Sequence, residues 1–305
     1  MSFSIDKTPS LKGKTALVTG GNIGLGFETV KALASKGAHV LLASRNDEKG
    51  KAAVAEIQKL VPNAQVELLR LDLASQRSIK AAATEVGNKF SQLDFLINNA
   101  GIMAMPETKT EDGYESQFGV NHLGHWSLTA LLIDNLKAAE AARVVTVTST
   151  AHHLIWNVNF DDPHMHKKYS AWNAYSQSKL ANYYFALGLH NLFSSSGEKM
   201  KSLLAHPGLS HTNLQVKTYE MGAGGWAGGF FKNLAAKTGM SPEDGALPQI
   251  RAALDPKAES GDFYAPRFVN TGSPVKRPIL RINNRRNIEK LWKLSERETG
   301  IAIQA

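Results

Sequence analysis

The chain contains no cysteine. Disulfides and thiolate metal sites are therefore excluded, and an intracellular home is expected. It has no run of about 18 apolar residues, so no membrane span is predicted. Its opening, MSFSIDKTPSLKGK, is polar and lacks the apolar core of a signal peptide. A soluble cytoplasmic protein is the expectation. No Pro-rich linker or composition break divides the first 210 residues, and internal repeats and low-complexity tracts are absent. One large domain over 1–305 accounts for this.

Strand-like and helix-like stretches alternate. The apolar patterns predict strands at Thr15–Thr19, Ala38–Ser44, Gln65–Leu71, Asp94–Asn98, Arg143–Ser149 and Lys201–Ala205, with a short one near Asp262–Tyr264. Helices are predicted at Gly24–Lys36, Asp47–Leu60, Ser75–Phe90, Gly113–Leu136 and Asn173–Leu192. The alternation implies an α/β fold, a doubly wound parallel sheet of about seven strands with helices on both faces. Two irregular segments follow strand ends, Ala151–Trp172 and the glycine-aromatic Thr212–Gly245. Ligands in such sheets bind beyond the carboxyl ends of the strands, so both are candidate pocket walls. The second is expected to act as a substrate lid over 212–245.

The glycine-rich TGGNIGLG, residues 19–26, falls between the first strand and the first helix. There Gly20, Asn22, Ile23, Gly24, Leu25 and Gly26 would let backbone approach a pyrophosphate at a helix N-terminus. Ser44 and Arg45 end the second strand, where an acid suits the ribose of NAD and an arginine suits the 2′-phosphate of NADP. The next acid, Asp47, is expected to cap a helix. NADP(H) is therefore favoured over NAD(H). Asp72 and Leu73 close the third strand; Asp72 either meets the adenine or caps the next helix. Asn98, Asn99, Ala100 and Gly101 end the fourth, where small residues allow close backbone approach.

Tyr175 and Lys179 share one helix face at i, i+4 spacing. An ammonium beside a phenol favours the phenolate and suits the tyrosine to proton exchange with a carbonyl or alcohol. The net charge of +8 concentrates in the C-terminal segment 276–305. Acids are interleaved there and no base-stacking aromatic pattern appears, so a solvated face is expected and nucleic acid is not. The paired histidines, His122/His125, His152/His153 and His164/His166, lack a third ligand at metal spacing, so no metal is predicted.

TGGNIGLG, NNAG at 98–101, Asn121, Ser149, Tyr175-x-x-x-Lys179 and HPG at 206–208 together resemble the ordered motifs of the short-chain dehydrogenase/reductase family, from about Leu11 to His211. NHLGHW at 121–126, NFDD at 159–162, SKLAN at 178–182 and LWKLSERETG at 291–300 resemble its retinol-dehydrogenase-like branch. The resemblance implies that Tyr175 is the general acid or base and that Lys179 lowers its pKa and binds the nicotinamide ribose. Ser149 would bond the substrate oxygen, and Asn121 would hold a water that relays protons to Lys179. Pro207 and Gly208 would flank the nicotinamide, and Thr212 would reach its carboxamide. Family members often form oligomers, so a homo-oligomer is among the expectations.

One departure is Ile23, where the branch has serine. It removes a hydroxyl that could meet phosphate, while the glycines remain. Met103, Met105, Trp156, Trp172, Trp226, Phe230 and Phe231 suggest a small apolar carbonyl or alcohol as substrate. Two rival readings differ in chemistry. Reduction of a carbon–carbon double bond, as in protochlorophyllide reductases, goes with a cysteine that this chain lacks. A non-catalytic NADP-binding regulator needs the glycine loop but neither Tyr175 nor Lys179.

Overall fold

The computed structural model describes residues 3–209, 239–281 and 284–304. Thr212 and most of the expected lid, including Trp226, Phe230 and Phe231, lie outside the described residues.

The chain alternates strand and helix as its apolar periodicity predicts: β1 (Thr15–Thr19), α1 (Gly24–Ser35), β2 (His39–Ser44), α2 (Asp47–Leu60), β3 (Gln65–Arg70), α3 (Gln76–Lys89) and β4 (Phe95–Asn98). Next come α4 (Ser116–Phe118), a π turn (Gly119–Leu123), α5 (Gly124–Leu131), α6 (Ile133–Ala138), β5 (Arg143–Val147), α7 (Ala171–Ser195) and β6 (Lys201–Ala205). After the undescribed stretch stand α8 (Pro242–Leu254), β7 (Phe263–Pro266), β8 (Pro274–Arg277) and α9 (Asn284–Thr299). The sheet order is β3-β2-β1-β4-β5-β6-β7-β8. Neighbours are parallel except β7 and β8, which run antiparallel.

Side chains alternate between the faces of the sheet, as strand geometry requires. Ala16 and Val18 of β1 join Val30, Leu33, Ile57 and Ile250 in the core under α1, α2 and α8. Leu17 points to the opposite face, with Ile79, Trp126, Leu180 and Leu291. Both faces are covered, which is why the strands read as nearly continuous apolar runs.

The sheet has eight strands rather than about seven. The eighth, Pro274–Arg277, is short, starts with proline and carries Lys276 and Arg277. Those residues suit an edge, where a missing N–H and surface charge are tolerated, but they hide a strand from apolar pattern reading. The expected continuous helix Gly113–Leu136 is broken. Glu115 accepts bonds from Gln117 N (2.9 Å) and Phe118 N (2.7 Å), starting the helix late. A π turn and a kink at Leu132 follow. Among the described residues, two helices, α8 and α9, go beyond those expected. In α8, Ser241 accepts from Asp244 N (3.0 Å) and caps a helix that Gly245 and Pro248 disguise as loop. So residues 242–245, expected in the irregular segment, open a helix instead.

The basic C-terminal segment is mostly α9, which buries Ile288, Leu291 and Leu294. Each such burial contributes about 1.5–3 kcal/mol. Its Trp292 lies over Gly188 of α7 so closely that a Cβ there would fall 2.0 Å from the indole. His122 and Ser295 (2.8 Å), and Tyr114 Oη donating to Glu298 O (2.6 Å), tie α9 to the segment that carries Asn121. The tail thus fixes the helices beneath the site.

Candidate active site

At the end of β1 the chain turns through Gly20 (φ +65°) and enters α1 at Gly24 (φ +57°). Both angles lie in the left-handed region that favours glycine. A Cβ on Gly26 would fall 2.1 Å from Gly20 O. Ile23 holds the N-cap position but offers no side-chain acceptor to the first turn. A helix start with no capping oxygen and a backbone held free of side chains fits an anionic pyrophosphate.

Thr19 locks this loop to the turn after β4. Its hydroxyl accepts from Asn99 N (2.9 Å) and Ala100 N (3.0 Å), while Asn99 Nδ2 donates to Thr19 O (2.7 Å). Gln249 of α8 completes the lock, donating to Asn99 Oδ1 (3.0 Å) and Thr29 Oγ1 (2.6 Å). Sequence reading missed Gln249. It stands far along the chain, inside the helix that Pro248 concealed.

At the end of β2, Ser44 is buried and its hydroxyl bonds the backbone of Asn46. Arg45 is exposed and outside every ion pair among the described residues. Asn46, not Asp47, caps α2, accepting from Lys49 N (2.8 Å). Asp47 instead takes the Arg70 guanidinium (2.8 Å). One oxygen of that carboxylate is thereby engaged, while Arg45 stays exposed. Asp72 does not cap α3; Ser75 does, accepting from Ser78 N (3.3 Å). Asp72 accepts from Ala74 N (2.9 Å) within its own turn. Leu73 is buried against Gly124.

The catalytic candidates converge at the carboxyl ends of β4 and β5. A Cβ on Gly101 would lie 3.1 Å from Asn121 Oδ1 and 3.3 Å from Lys179 Nζ, so both side chains close over the space that glycine leaves open. Asn121 stands in the π turn. Its Oδ1 accepts from Ile102 N (2.8 Å), and its Nδ2 donates to Ile102 O (2.9 Å) and Ser178 Oγ (2.8 Å). Ser149 follows β5; its hydroxyl accepts from Ala151 N (3.3 Å) and lies near enough to the Tyr175 phenol to lower it. Lys179 donates to Val147 O (3.3 Å), and its ammonium lies 5.9 Å from the Tyr175 ring centre. Thr148 anchors α7 by donating to Lys179 O (2.7 Å).

Burial governs the charges. It pushes the Lys179 ammonium down to about 8. It pushes the Tyr175 phenol up, and the bond from Ser149 pulls the other way. The lowering of Tyr175 by Lys179 expected from spacing is not seen; burial raises the phenol, and the opposing pull comes from Ser149. Pro207 and Gly208 follow β6. Gly208 has φ +70°, and a Cβ there would meet Asn270 O at 2.4 Å, so only glycine fits. Of the proposed pocket wall, Tyr169 donates to Met105 O (2.7 Å) and Trp172 meets the Tyr175 ring edge-on at 6.2 Å. Trp156 does not join them; it is 96% exposed. Among the described residues, no group of three or more metal-ligating side chains assembles.

A family profile described as short chain dehydrogenase matches residues 14–222. Human polyprenol dehydrogenase is 37% identical over 300 residues, covering 96% of this chain and 87% of its own. Human retinol dehydrogenase 11 is 39% identical over 298 residues, covering 97% and 89%. Among solved structures, an uncharacterised protein from Mycobacterium paratuberculosis is 36% identical, with a TM-score of 0.80 and full coverage of both chains. Together with the eight-stranded sheet and its glycine turn, these matches mean that the chain belongs to the short-chain dehydrogenase family, in its retinol-dehydrogenase-like branch, and is an oxidoreductase that transfers hydride with a nicotinamide cofactor.

Proposed function

We propose that this chain uses NADP(H) to interconvert a carbonyl and an alcohol on an apolar small molecule, with Tyr175 exchanging the proton at the reacting oxygen. The observation that carries this reading is the meeting of Ser149 with Tyr175, and of Lys179 with Asn121 at Gly101. Two hydroxyls side by side can address one substrate oxygen. In reduction, Tyr175 gives its proton as negative charge develops on that oxygen, and Ser149 bonds the same atom. In oxidation the direction reverses, and Tyr175 receives the proton. Lys179, eased toward neutrality by burial, exchanges a proton near pH 8. The nicotinamide, when bound, supplies or accepts the hydride. Asn121 holds the loop at Ile102 and the helix at Ser178, so its amide fixes the distance between them.

The NADP preference rests on Arg45, which is exposed and outside every described ion pair, and on Asp47, which is engaged by Arg70. A guanidinium at this strand end suits a 2′-phosphate. Gly20 to Gly26, the Asn99–Gly101 turn and Gly208 would form the remaining cradle. Relatives named for polyprenol and retinol, both apolar alcohols, support an apolar substrate. A cytoplasmic location and a homo-oligomeric state belong to the same proposal; cell fractionation and light scattering test them.

The direct experiment is an NADPH-oxidation screen over aldehydes and ketones graded by size and polarity, with the Tyr175→Phe variant alongside. Turnover of bulky apolar carbonyls by the wild type, lost in the variant, is the expected result. A variant that turns over as fast as wild type, or a clear preference for NADH, would defeat the assignment.

A further inference from the structure

His125 is fully buried on α5 and bonded at both ring nitrogens. Nδ1 lies 2.9 Å from the main-chain carbonyl of Asn121, and Nε2 lies 2.9 Å from the hydroxyl of Thr19. A carbonyl only accepts, so Nδ1 must carry a hydrogen. A neutral ring then leaves Nε2 as an acceptor, and the Thr19 hydroxyl must donate to it. The lone pairs of that hydroxyl are already taken by Asn99 N–H and Ala100 N–H. Its one hydrogen has a poorer alternative in Ile97 O at 3.2 Å. Each polar atom thus has one consistent role. Burial, helped by the charge of Lys179 and opposed by the bond to the Asn121 carbonyl, holds the ring neutral with its pKa down at about 4.

The contacts join three pieces of the site that are distant in sequence: the end of β1 before the glycine loop, the turn at Asn99–Gly101, and the π turn bearing Asn121. A π turn is rare and disturbs the regular carbonyl ladder, so the carbonyl that His125 holds sits where the helix is least self-supporting. From Asn121 the connection continues through its side chain to Ile102 and Ser178, the residue before Lys179.

We infer that His125 is a positioning residue of the proton-transfer site, which as a neutral Nδ1–H imidazole holds Asn121 in register with the cofactor-binding loop through Thr19. It rests on the catalytic reading above. It acts through Asn121 rather than on substrate, so its loss should lower kcat and leave cofactor affinity nearly unchanged.

The test uses the full chain with His125→Phe and His125→Asn, beside wild type. Phenylalanine keeps a ring but bonds neither partner. The side-chain amide nitrogen of asparagine can stand where Nδ1 stood. A misplacement of about 1 Å costs on the order of 10²-fold in rate. His125→Phe should therefore lose on the order of 10²-fold in kcat, with the Kd for NADPH little changed. His125→Asn should recover most of that loss. Wild-type kcat in His125→Phe, or no advantage of asparagine over phenylalanine, overturns the inference.

Histidine-selective ¹⁵N NMR on the wild type keeps it falsifiable if the phenylalanine variant does not fold. A neutral Nδ1–H tautomer is expected at pH 7; an Nε2–H tautomer or a cationic ring overturns it. The NMR result does not depend on turnover. Wild type that turns over no carbonyl or alcohol defeats the proposed function, whereas a wrong tautomer with normal turnover defeats only the role of His125.

Discussion

Acid should unfold this protein well above the pH at which its carboxylates titrate. His122, His125, His152 and His206 are each no more than 3% exposed. Burial holds their pKa values down at about 3, 4, 3 and 3 respectively. An unfolded imidazole titrates near 6.5. Each folded value is therefore below its unfolded one. Between the two, the unfolded state binds protons that the folded state does not, so stability falls as pH falls through that window. Between pH 7 and 5 each such ring costs roughly 2 kcal/mol by proton linkage, and four together cost on the order of 8 kcal/mol. That is comparable to the whole stability of an ordinary domain, about 5–15 kcal/mol. Urea denaturation followed by circular dichroism at half-unit steps from pH 7.5 to 4.5 measures the loss. The slope should approach about 4 protons per molecule near pH 5. Substituting His122 by an apolar residue should lower that slope by about 1 proton even if it lowers stability overall. A denaturation midpoint that stays flat from pH 7 to 5 would refute the reasoning, because four rings held neutral by burial cannot be silent there.

The remaining predictions concern the site and its support. Arg45→Ala should weaken NADPH by about 1.5–3 kcal/mol, the range for hydrogen bonds to charged groups, and leave NADH nearly untouched; fluorescence titration measures both. Tyr175→Phe should fold and bind NADPH while losing about 10²–10⁴-fold in rate on a true substrate, read by steady-state assay. Lys179 is protonated in both states below pH 8, and above it the folded state loses its proton before the unfolded one does. Stability should therefore rise by roughly 3 kcal/mol between about pH 8 and 10.5, a rise that Lys179→Met removes in urea titrations. Gly188→Ala should cost about 1–3 kcal/mol, seen as a lower Tm, because its Cβ would meet the Trp292 indole.

Elements with one dominant signal were legible in the sequence. β1, α2 and β6 match their predicted spans residue for residue, since each is a periodic run with clear stops. What stayed hidden was set by partners distant in sequence. Nothing local marks β8 as a strand; it exists because β7 offers it an antiparallel edge. The late start before the π turn comes from Glu115, whose carboxylate caps backbone N–H groups and has no special look in a helical pattern. α9 reads as a charged tail because only three of its apolar side chains are buried, and they find their partners on α7 and the segment around Asn121. The site divides in the same way. Ser149, Tyr175 and Lys179 lie in motifs and could be named as candidates, whereas Gln249 and Thr19 matter for contacts that only the closed fold creates. Capping was the weakest point: Asp47 was expected to cap where Asn46 does, and of the two roles left open for Asp72 the cap falls to Ser75.

The electrostatics of Tyr175 and Lys179 follow from one cause acting on opposite charges. Burial disfavours the phenolate, so the phenol stays protonated; burial disfavours the ammonium, so the lysine is readily discharged. Considered singly, each shift moves its group toward neutrality. When both are charged at once, their mutual attraction offsets part of that cost. Opposite unit charges about 6 Å apart attract by about 3 kcal/mol at an effective dielectric of about 20, equivalent to about two pKa units. The ammonium is 5.9 Å from the phenol ring, so that attraction is available whenever Tyr175 gives up its proton while Lys179 keeps its own. A lysine with a pKa near 8 remains charged at neutral pH, and a fully neutral residue in its place would leave the phenolate with only Ser149 to bond it. The spacing of the two residues is therefore meaningful, although at rest it does not pull the tyrosine below its ordinary value. In the proposed mechanism its effect comes during proton transfer, when negative charge on Tyr175 would form beside a cation that the fold has buried and that donates to the carbonyl of Val147.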